Sequence, residues 1–320
     1  MGRPRRVGIV GCGTLARTNY AKSLPRVPGI VVTAVHDRDP GAAKLVGRLF
    51  GAAVRSLGDL CSEVDAAIVA TPPGTHYELT HTCLDHDLLV VCEKPFVGRL
   101  EEARTLVSLA EANGGTLFVG HLRRTFETAR LARNLIATGA LGVVRGISMV
   151  EGGRFSWEPQ SGYVSADPFG GVLFDTGSHT IDLGLYVTGL DAREFAVEVQ
   201  HVQRDRPEPA HEIRAELRLD LGPSVVPAVV HLSRYKALAN RVRVELDGGT
   251  LDIPVGPRDR IRLTGSTGSC LLATGAAPAD HDDYFVEQWR QIFLAEGSDM
   301  FRARNFLGLT AILEAVSRAS

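Results

Sequence analysis

The sequence predicts an α/β protein of two domains: a doubly wound parallel sheet in residues 1–122, then an α+β domain in residues 123–320. Three observations predict it. A chain of 320 residues exceeds what one small core fills and falls short of three ordinary domains. Up to Gly120, short apolar runs alternate with helix-period segments. Beyond Gly120 the rhythm changes to strand-like segments that interleave charged and aliphatic residues.

The first-domain strands are expected at residues 7–10, 31–35, 66–69, 88–91 and 117–119. Runs apolar on both faces are what a parallel sheet covered on both sides requires. Among the intervening helices, residues 101–113 place Ala103, Leu106, Val107 and Ala110 on one face. In the second domain a helix is expected at 125–138, strands at 143–150, 195–202, 213–219, 225–232 and 241–246, a helical interval at 174–187, and closing helices from 284 to 319. The run Ile213-Arg214-Ala215-Glu216-Leu217-Arg218-Leu219 leaves one sheet face wet or paired with something polar. Gly222-Pro223 and residues 275–278 mark loops.

Composition narrows the partners. The chain is 44% hydrophobic and 22% charged, with a net charge of -2, so it offers no basic field for nucleic acid or anionic lipid. The expected partner is a small molecule. No stretch approaches the roughly 20 uncharged apolar residues a membrane span needs, and the start Met1-Gly2-Arg3-Pro4-Arg5-Arg6 leads straight into a strand; the expectation is a cytoplasmic protein. Cys12, Cys61, Cys83, Cys92 and Cys270 are odd in number and lack C-x-x-C spacing, which argues against a disulfide framework or a structural zinc. No metal is expected at His76, His81 and His86 either, since a five-residue repeat does not align on a helix face. Lysine is confined to positions 22, 44, 94 and 236, so a lysine in an apolar setting stands out.

Gly11-Cys12-Gly13-Thr14-Leu15-Ala16 follows the first strand and opens a helix, the context that gives a Rossmann dinucleotide fingerprint its meaning. Gly11 permits the tight turn, Gly13 lets the backbone approach a pyrophosphate, and Ala16 allows close helix packing. Thr14 and Leu15 begin the helix whose free N–H groups face the anion. Asp37 ends the second strand, where an acidic residue accepts hydrogen bonds from the adenosine ribose. Arg38 beside it would instead suit a 2′-phosphate; the bland alternative makes Asp37 a turn residue before Pro40. NAD is the expected cofactor, with NADP as the alternative.

Three further segments carry a family resemblance: Ala70-Thr71-Pro72-Pro73-Gly74-Thr75-His76, Cys92-Glu93-Lys94-Pro95, and the run from Gly170 and Gly171 through Phe174-Asp175-Thr176-Gly177-Ser178-His179 to Asp182. In this order and spacing they resemble the Gfo/Idh/MocA family, named for glucose-fructose oxidoreductase, inositol dehydrogenase and a rhizopine-catabolism protein. The resemblance spans nearly the whole chain. It implies a Rossmann domain followed by an open-faced, mostly antiparallel sheet domain, with a sugar or cyclitol as substrate. It further implies that Lys94 bridges cofactor and substrate behind a cis Lys94–Pro95 bond, and that Thr71, Pro72, His76 and Glu93 line the cofactor cleft.

Asp175 and His179 stand four apart on a predicted helix and share a face, and a carboxylate beside an imidazole can fix its tautomer for proton transfer. Arg123 and Arg124 fall where the family places basic residues at the domain junction; Arg124 is the candidate substrate contact, with interdomain salt bridging as the alternative. Trp157, Tyr163 and Phe169 cover the substrate or simply pack. The implied reaction is hydride transfer between nicotinamide and a carbinol carbon, with Lys94, Asp175 and His179 as catalytic and substrate-binding residues. An NADPH-dependent keto-sugar or imine reductase and a catalytically silent nucleotide sensor are the competing readings. A homo-oligomer, dimer or tetramer, formed through the second-domain sheet is expected, with apolar positions among residues 228–232 at the interface.

Overall fold

The computed structural model describes residues 3–114, 116–154, 167, 169–205, 210–294 and 298–319. The chain divides into two compact units, the first centred on Met1–His121 with Asp280–Arg304, the second on Leu122–Trp157, Val164–Ala279 and Asn305–Ser320.

In the first unit β1 (Arg5–Val10), β2 (Ile30–His36), β3 (Ala53–Val54), β4 (Ala66–Val69), β5 (Leu89–Glu93) and β6 (Leu117–Gly120) pair in parallel in the order β3-β2-β1-β4-β5-β6. The order reverses between β1 and β4, the switch point at which open α/β sheets take ligands beyond their strand ends. Every residue of β4 and β6 is buried, which is why these strands read as unbroken apolar runs. After the glycine turn the chain winds as a π-helix over Ala16–Tyr20 into α1 (Ala21–Ser23). The connections α2 (Pro40–Phe50), α3 (Leu57–Glu63), α4 (His76–Leu84) and α5 (Leu100–Ala112) follow. Asp39 caps α2 by accepting from the Gly41 N–H ahead of Pro40 at its first turn, and Gly51 closes it in the left-handed region. Ala103, Leu106, Val107 and Ala110 are the buried face of α5, as the period predicts.

The tail departs from the expected boundary. Residues 280–304, assigned by sequence to the second domain, cluster with the first unit. Helix His281–Phe293 buries Trp289 edge-on against Tyr20, ring centroids 5.1 Å apart, while its indole N–H donates to Ser23 Oγ at 3.0 Å. Lys22 and Arg26 pair with Asp282 and Asp283 on the same helix. Periodicity predicts that this segment is helical but carries no information about which sheet it covers.

The second unit opens with α6 (Glu127–Ala137), then β7 (Val144–Gly152), a π-helical turn over Leu173–Gly177, and α7 (Ser178–Thr188). Its sheet adds β8 (Ala196–Arg204), β9 (Glu212–Asp220), β10 (Val225–Ser233), β11 (Arg241–Leu246), β12 (Gly249–Pro254), β13 (Arg260–Gly265) and β14 (Gly268–Ala273), in the order β14-β13-β12-β11-β7-β10-β9-β8. Among the described residues of this sheet, only the β7–β10 pair is parallel. The sequence pattern did not distinguish β12 to β14, short strands in which only Leu251 and Ile253 of β12 and Ile261 of β13 are buried and β14 buries no residue. In β9, Ile213, Ala215, Leu217 and Leu219 are buried while Arg214, Glu216 and Arg218 face solvent. Helices α7 and Leu307–Arg318 cover the buried face. Ala228, Val230 and Leu232, expected at a subunit interface, point into this helix-covered core instead; Val225 and Pro227 are exposed on the open side.

Candidate active site

The glycine turn is built for backbone approach. Gly11 has φ +103°, and a Cβ there would lie 2.6 Å from the Ala70 carbonyl group, so only glycine fits. A Cβ on Gly13 would meet nothing within 4 Å, which leaves open space beside the amides at the start of the helix. Ala16 is fully buried against the sheet, while Thr14 and Leu15 are partly exposed. Asp37 grips the turn: one carboxylate oxygen accepts from the Cys12 N–H at 2.6 Å and the other from the Asp39 N–H at 2.8 Å. Arg38 is exposed beside it. Burial, reinforced by the Asp37 charge, pushes the Cys12 thiol up to about 12, so it is not a nucleophile at neutral pH. These groups fit a dinucleotide: free helix-end amides for a pyrophosphate, no side chain in the way at Gly13, and an oriented carboxylate at the end of β2.

The Lys94 turn leaves the end of β5. The Lys94–Pro95 bond is cis, as the family resemblance implies. Two expected cofactor residues act on this turn from beneath. His76 is fully buried, with Nδ1 at 2.8 Å from the Pro95 carbonyl oxygen and 3.1 Å from that of Phe96, and Nε2 at 2.9 Å from that of Thr71. The ring thus lies between the end of β4 and the turn after β5, donating from the nitrogen that carries the proton. Glu93 is also buried; one carboxylate oxygen accepts from the Tyr20 hydroxyl at 2.5 Å and the other from the Lys94 N–H at 3.1 Å. Burial raises the Glu93 carboxyl above its ordinary value, opposed first by the Tyr20 hydrogen bond. His76 and Glu93 are supports of the cleft and not its lining. Thr71 and Pro72 remain partly exposed at the end of β4, where Thr75 Oγ1 donates to the Pro72 carbonyl oxygen at 2.8 Å. Lys94 itself is half-buried.

In the second unit Asp175 lies in the π-helical turn and His179 in the first turn of α7, both partly exposed. Asp175 Oδ2 accepts from Arg234 Nη2 at 2.8 Å, and the same nitrogen donates to the Gly171 carbonyl oxygen at 3.1 Å. Arg234 follows β10, is almost wholly buried, and is a residue that sequence reasoning missed; no motif marks an arginine 59 positions from its carboxylate. Gly171, at φ +76°, therefore supplies a carbonyl to this lock. Tyr20 was missed for the same reason.

Arg124 is not free to bind a substrate. It is fully buried, forked onto Asp182 at 2.6–3.1 Å and onto Asp191 at 3.0 Å, with Phe306 4.0 Å beneath its guanidinium. These partners all lie in the second unit. Burial works against its charge, but Asp182 and Asp191 together outweigh it and the guanidinium is held protonated. Arg123 makes a two-pronged pair with Glu151 at 2.7 and 2.8 Å, and the Thr180 hydroxyl donates to the same carboxylate. Phe169 packs edge-on against Phe174 at 5.3 Å; Trp157 and Tyr163 lie outside the described residues. Among the described residues no group of three or more His, Cys, Asp or Glu side chains could hold a metal, and no helix is long and apolar enough to cross a membrane.

A parallel sheet of this order carrying this turn defines a dinucleotide-binding oxidoreductase domain. The chain belongs to the Gfo/Idh/MocA family: residues 5–121 match its oxidoreductase domain with the NAD-binding Rossmann fold, and residues 129–270 match its C-terminal domain. D-apiose dehydrogenase of Rhizobium rhizogenes is 26% identical over 277 residues, 82% of this chain and 76% of that protein. Inositol 2-dehydrogenase 2 of Saccharopolyspora erythraea is 30% identical over 62% of this chain and 57% of its own length, so that match spans little more than half of the relative. A 3-ketoreductase from Actinomadura kijaniata, solved with NADP and TDP-benzene, superposes with a TM-score of 0.79 at 22% identity, covering 98% of this chain and 97% of that one. An oxidoreductase from Agrobacterium radiobacter, solved with NAD+, L-tartaric acid and magnesium, gives 0.74 at 20% identity over 99% and 95%. At these identities the structural likeness is one of fold.

Proposed function

We propose that the chain is an NAD-dependent dehydrogenase or reductase of a sugar, cyclitol or related polyhydroxylated small molecule. The observation that carries this reading is the Lys94 turn, whose neighbours are locked by buried bonds while the lysine is left half-buried at the end of β5. Relatives that act on apiose and inositol by name support the substrate class. Bound nicotinamide supplies or accepts the hydride. Lys94 hydrogen-bonds the reacting oxygen and stabilises its developing negative charge, while His179 takes the hydroxyl proton in oxidation and returns it in reduction. Asp175, held by Arg234, accepts a hydrogen bond from a neighbouring hydroxyl or from the His179 ring.

Asp37 supports NAD over NADP. Two backbone amides hold its carboxylate, and one phosphate charge about 4 Å away would cost roughly 4 kcal/mol at an effective dielectric near 20. The exposed Arg38 favours the competing reading, an NADPH-dependent keto-sugar reductase, and titration with NADH and NADPH decides between them; tighter NADPH binding sinks the NAD assignment. Turnover on a panel of inositols, aldoses and keto-sugars tests the enzyme against a silent nucleotide sensor. Lys94→Ala and His179→Ala should each lower kcat at least 100-fold, the scale of one lost acid–base or oxyanion group, with NAD affinity nearly intact. Full turnover in either variant rejects the residue roles. The open sheet face, with Val225, Pro227 and Leu271 exposed, is the surface we assign to pairing with a second copy; a monomer in light scattering excludes it.

A further inference from the structure

The glycine turn carries a cation that its fingerprint does not call for. Arg17, four residues past Gly13, folds back so that its Nε donates to the carbonyl oxygens of Cys12 at 3.1 Å and Gly13 at 3.3 Å. Asp37 meanwhile holds the Cys12 N–H, so the Cys12 residue is gripped through its amide by an anion and through its carbonyl by a cation. These bonds engage Nε alone. The two terminal nitrogens of a guanidinium carry four more N–H donors, and among the described residues no carboxylate pairs with Arg17. The side chain is half-buried. A planar fork anchored at one nitrogen, with its other donors unspent, suits two oxygens of a phosphate better than a mobile ammonium would. The space beside Gly13, where a Cβ would meet nothing within 4 Å, lies on the same turn.

We infer that Arg17 is a ligand of the dinucleotide pyrophosphate: its Nε braces the turn and its terminal nitrogens donate to the phosphate oxygens. This rests on the reading of the turn as the dinucleotide site. Titration of the full chain with NADH, by fluorescence, and with ADP-ribose and adenosine, by calorimetry, tests it. Arg17→Met should raise the Kd for NADH and for ADP-ribose by the same factor, roughly tenfold for one charge-assisted contact, and leave adenosine binding unchanged. Arg17→Lys should recover only part of the loss, because it keeps the charge and loses the fork. Unchanged NADH affinity in Arg17→Met overturns the assignment. So does an equal loss for adenosine, which would make Arg17 a brace of the turn alone, or a loss confined to NADPH, which would place it at a 2′-phosphate. If Arg17→Met fails to fold by circular dichroism, Arg17→Gln is read by the same criteria. A wild-type chain that binds neither NADH nor ADP-ribose sinks the dinucleotide reading itself, an outcome distinct from a wild type that binds and a variant that binds equally well.

Discussion

The Lys94 turn and the Asp175–His179 helix are both held firmly, but by different physics. Beneath Lys94 the supports belong to the motifs or stand close to them: His76 faces three backbone carbonyl oxygens, and Glu93 accepts from the amide of its own neighbour and from Tyr20. Around the helix the supports are arginines from remote segments. Arg234 reaches Asp175, Arg124 reaches Asp182 and Asp191, and Arg123 reaches Glu151, which also takes the Thr180 hydroxyl. Hydrogen bonds to backbone add modestly to stability and cost little when traded for a similar group. A buried ion pair contributes little net stability, yet losing one partner strands the other charge in a poor solvent. The two regions should therefore respond differently to single substitutions.

The largest effect should come from Arg124→Met, which takes the guanidinium away from buried Asp182 and leaves Asp191 with Arg133. Breaking such a pair costs about 3–5 kcal/mol, read as a lower urea midpoint for the wild-type slope. Adding Asp182→Asn should recover most of the loss, because the harm lies in the carboxylate charge that Arg124 no longer balances. A cost below about 1 kcal/mol, the scale of an exposed pair, would break the contrast.

Arg234→Met sharpens the contrast at the chemistry. With Asp175 released from its cation, kcat/KM for the substrate identified should fall roughly 100-fold, the scale of one misplaced polar group. NADH affinity should stay within about twofold, because Arg234 and Asp175 are not part of the glycine turn. Arg234→Lys should recover part of the rate. A parallel loss of NADH affinity would show that the two regions are not independently supported.

What the sequence made legible follows the same division. The Rossmann sheet was readable because β1, β4, β5 and β6 are buried on both faces and show it as continuous apolar runs. Gly11, Asp37, Lys94, Asp175 and His179 could be singled out as candidates because each belongs to a local pattern. Arg234 and Tyr20 were not, since their partners lie 59 and 73 positions away and neither breaks a periodicity. Arg124 was misread because a basic residue near a cleft and one buried in an ion-pair network look identical in one dimension. Only the positions of Asp182 and Asp191 in three dimensions distinguish them.

Substitutions beneath Lys94 should be milder in stability. His76→Phe keeps an aromatic ring but leaves the carbonyl group on the protonated side of the imidazole without its donor, at about 1–3 kcal/mol for a buried group left unpaired. It should also lower kcat, by letting the Lys94 turn drift. A variant with wild-type kcat would mean the cis turn holds its shape unaided.

Glu93→Gln should show the smallest effect, and its pH dependence carries the information. Burial raises the folded-state value of Glu93 above the ordinary carboxylate value, so the folded chain takes up its charge later than the unfolded chain does. Stability of the wild type therefore falls as pH rises from the ordinary value to the raised one, and levels off above it. The glutamine variant cannot ionise and lacks this slope. Its Tm relative to wild type should climb across that window, from pH 4 upward, even as its weaker hold on Lys94 lowers kcat. A relative Tm that falls with pH would mean that the Tyr20 hydroxyl and the Lys94 N–H stabilise the carboxylate more than burial penalises it. Glu93 would then be a buried charge in its own right, and the contrast between a neutral support under Lys94 and an ionic one around Asp175 would fail at that residue.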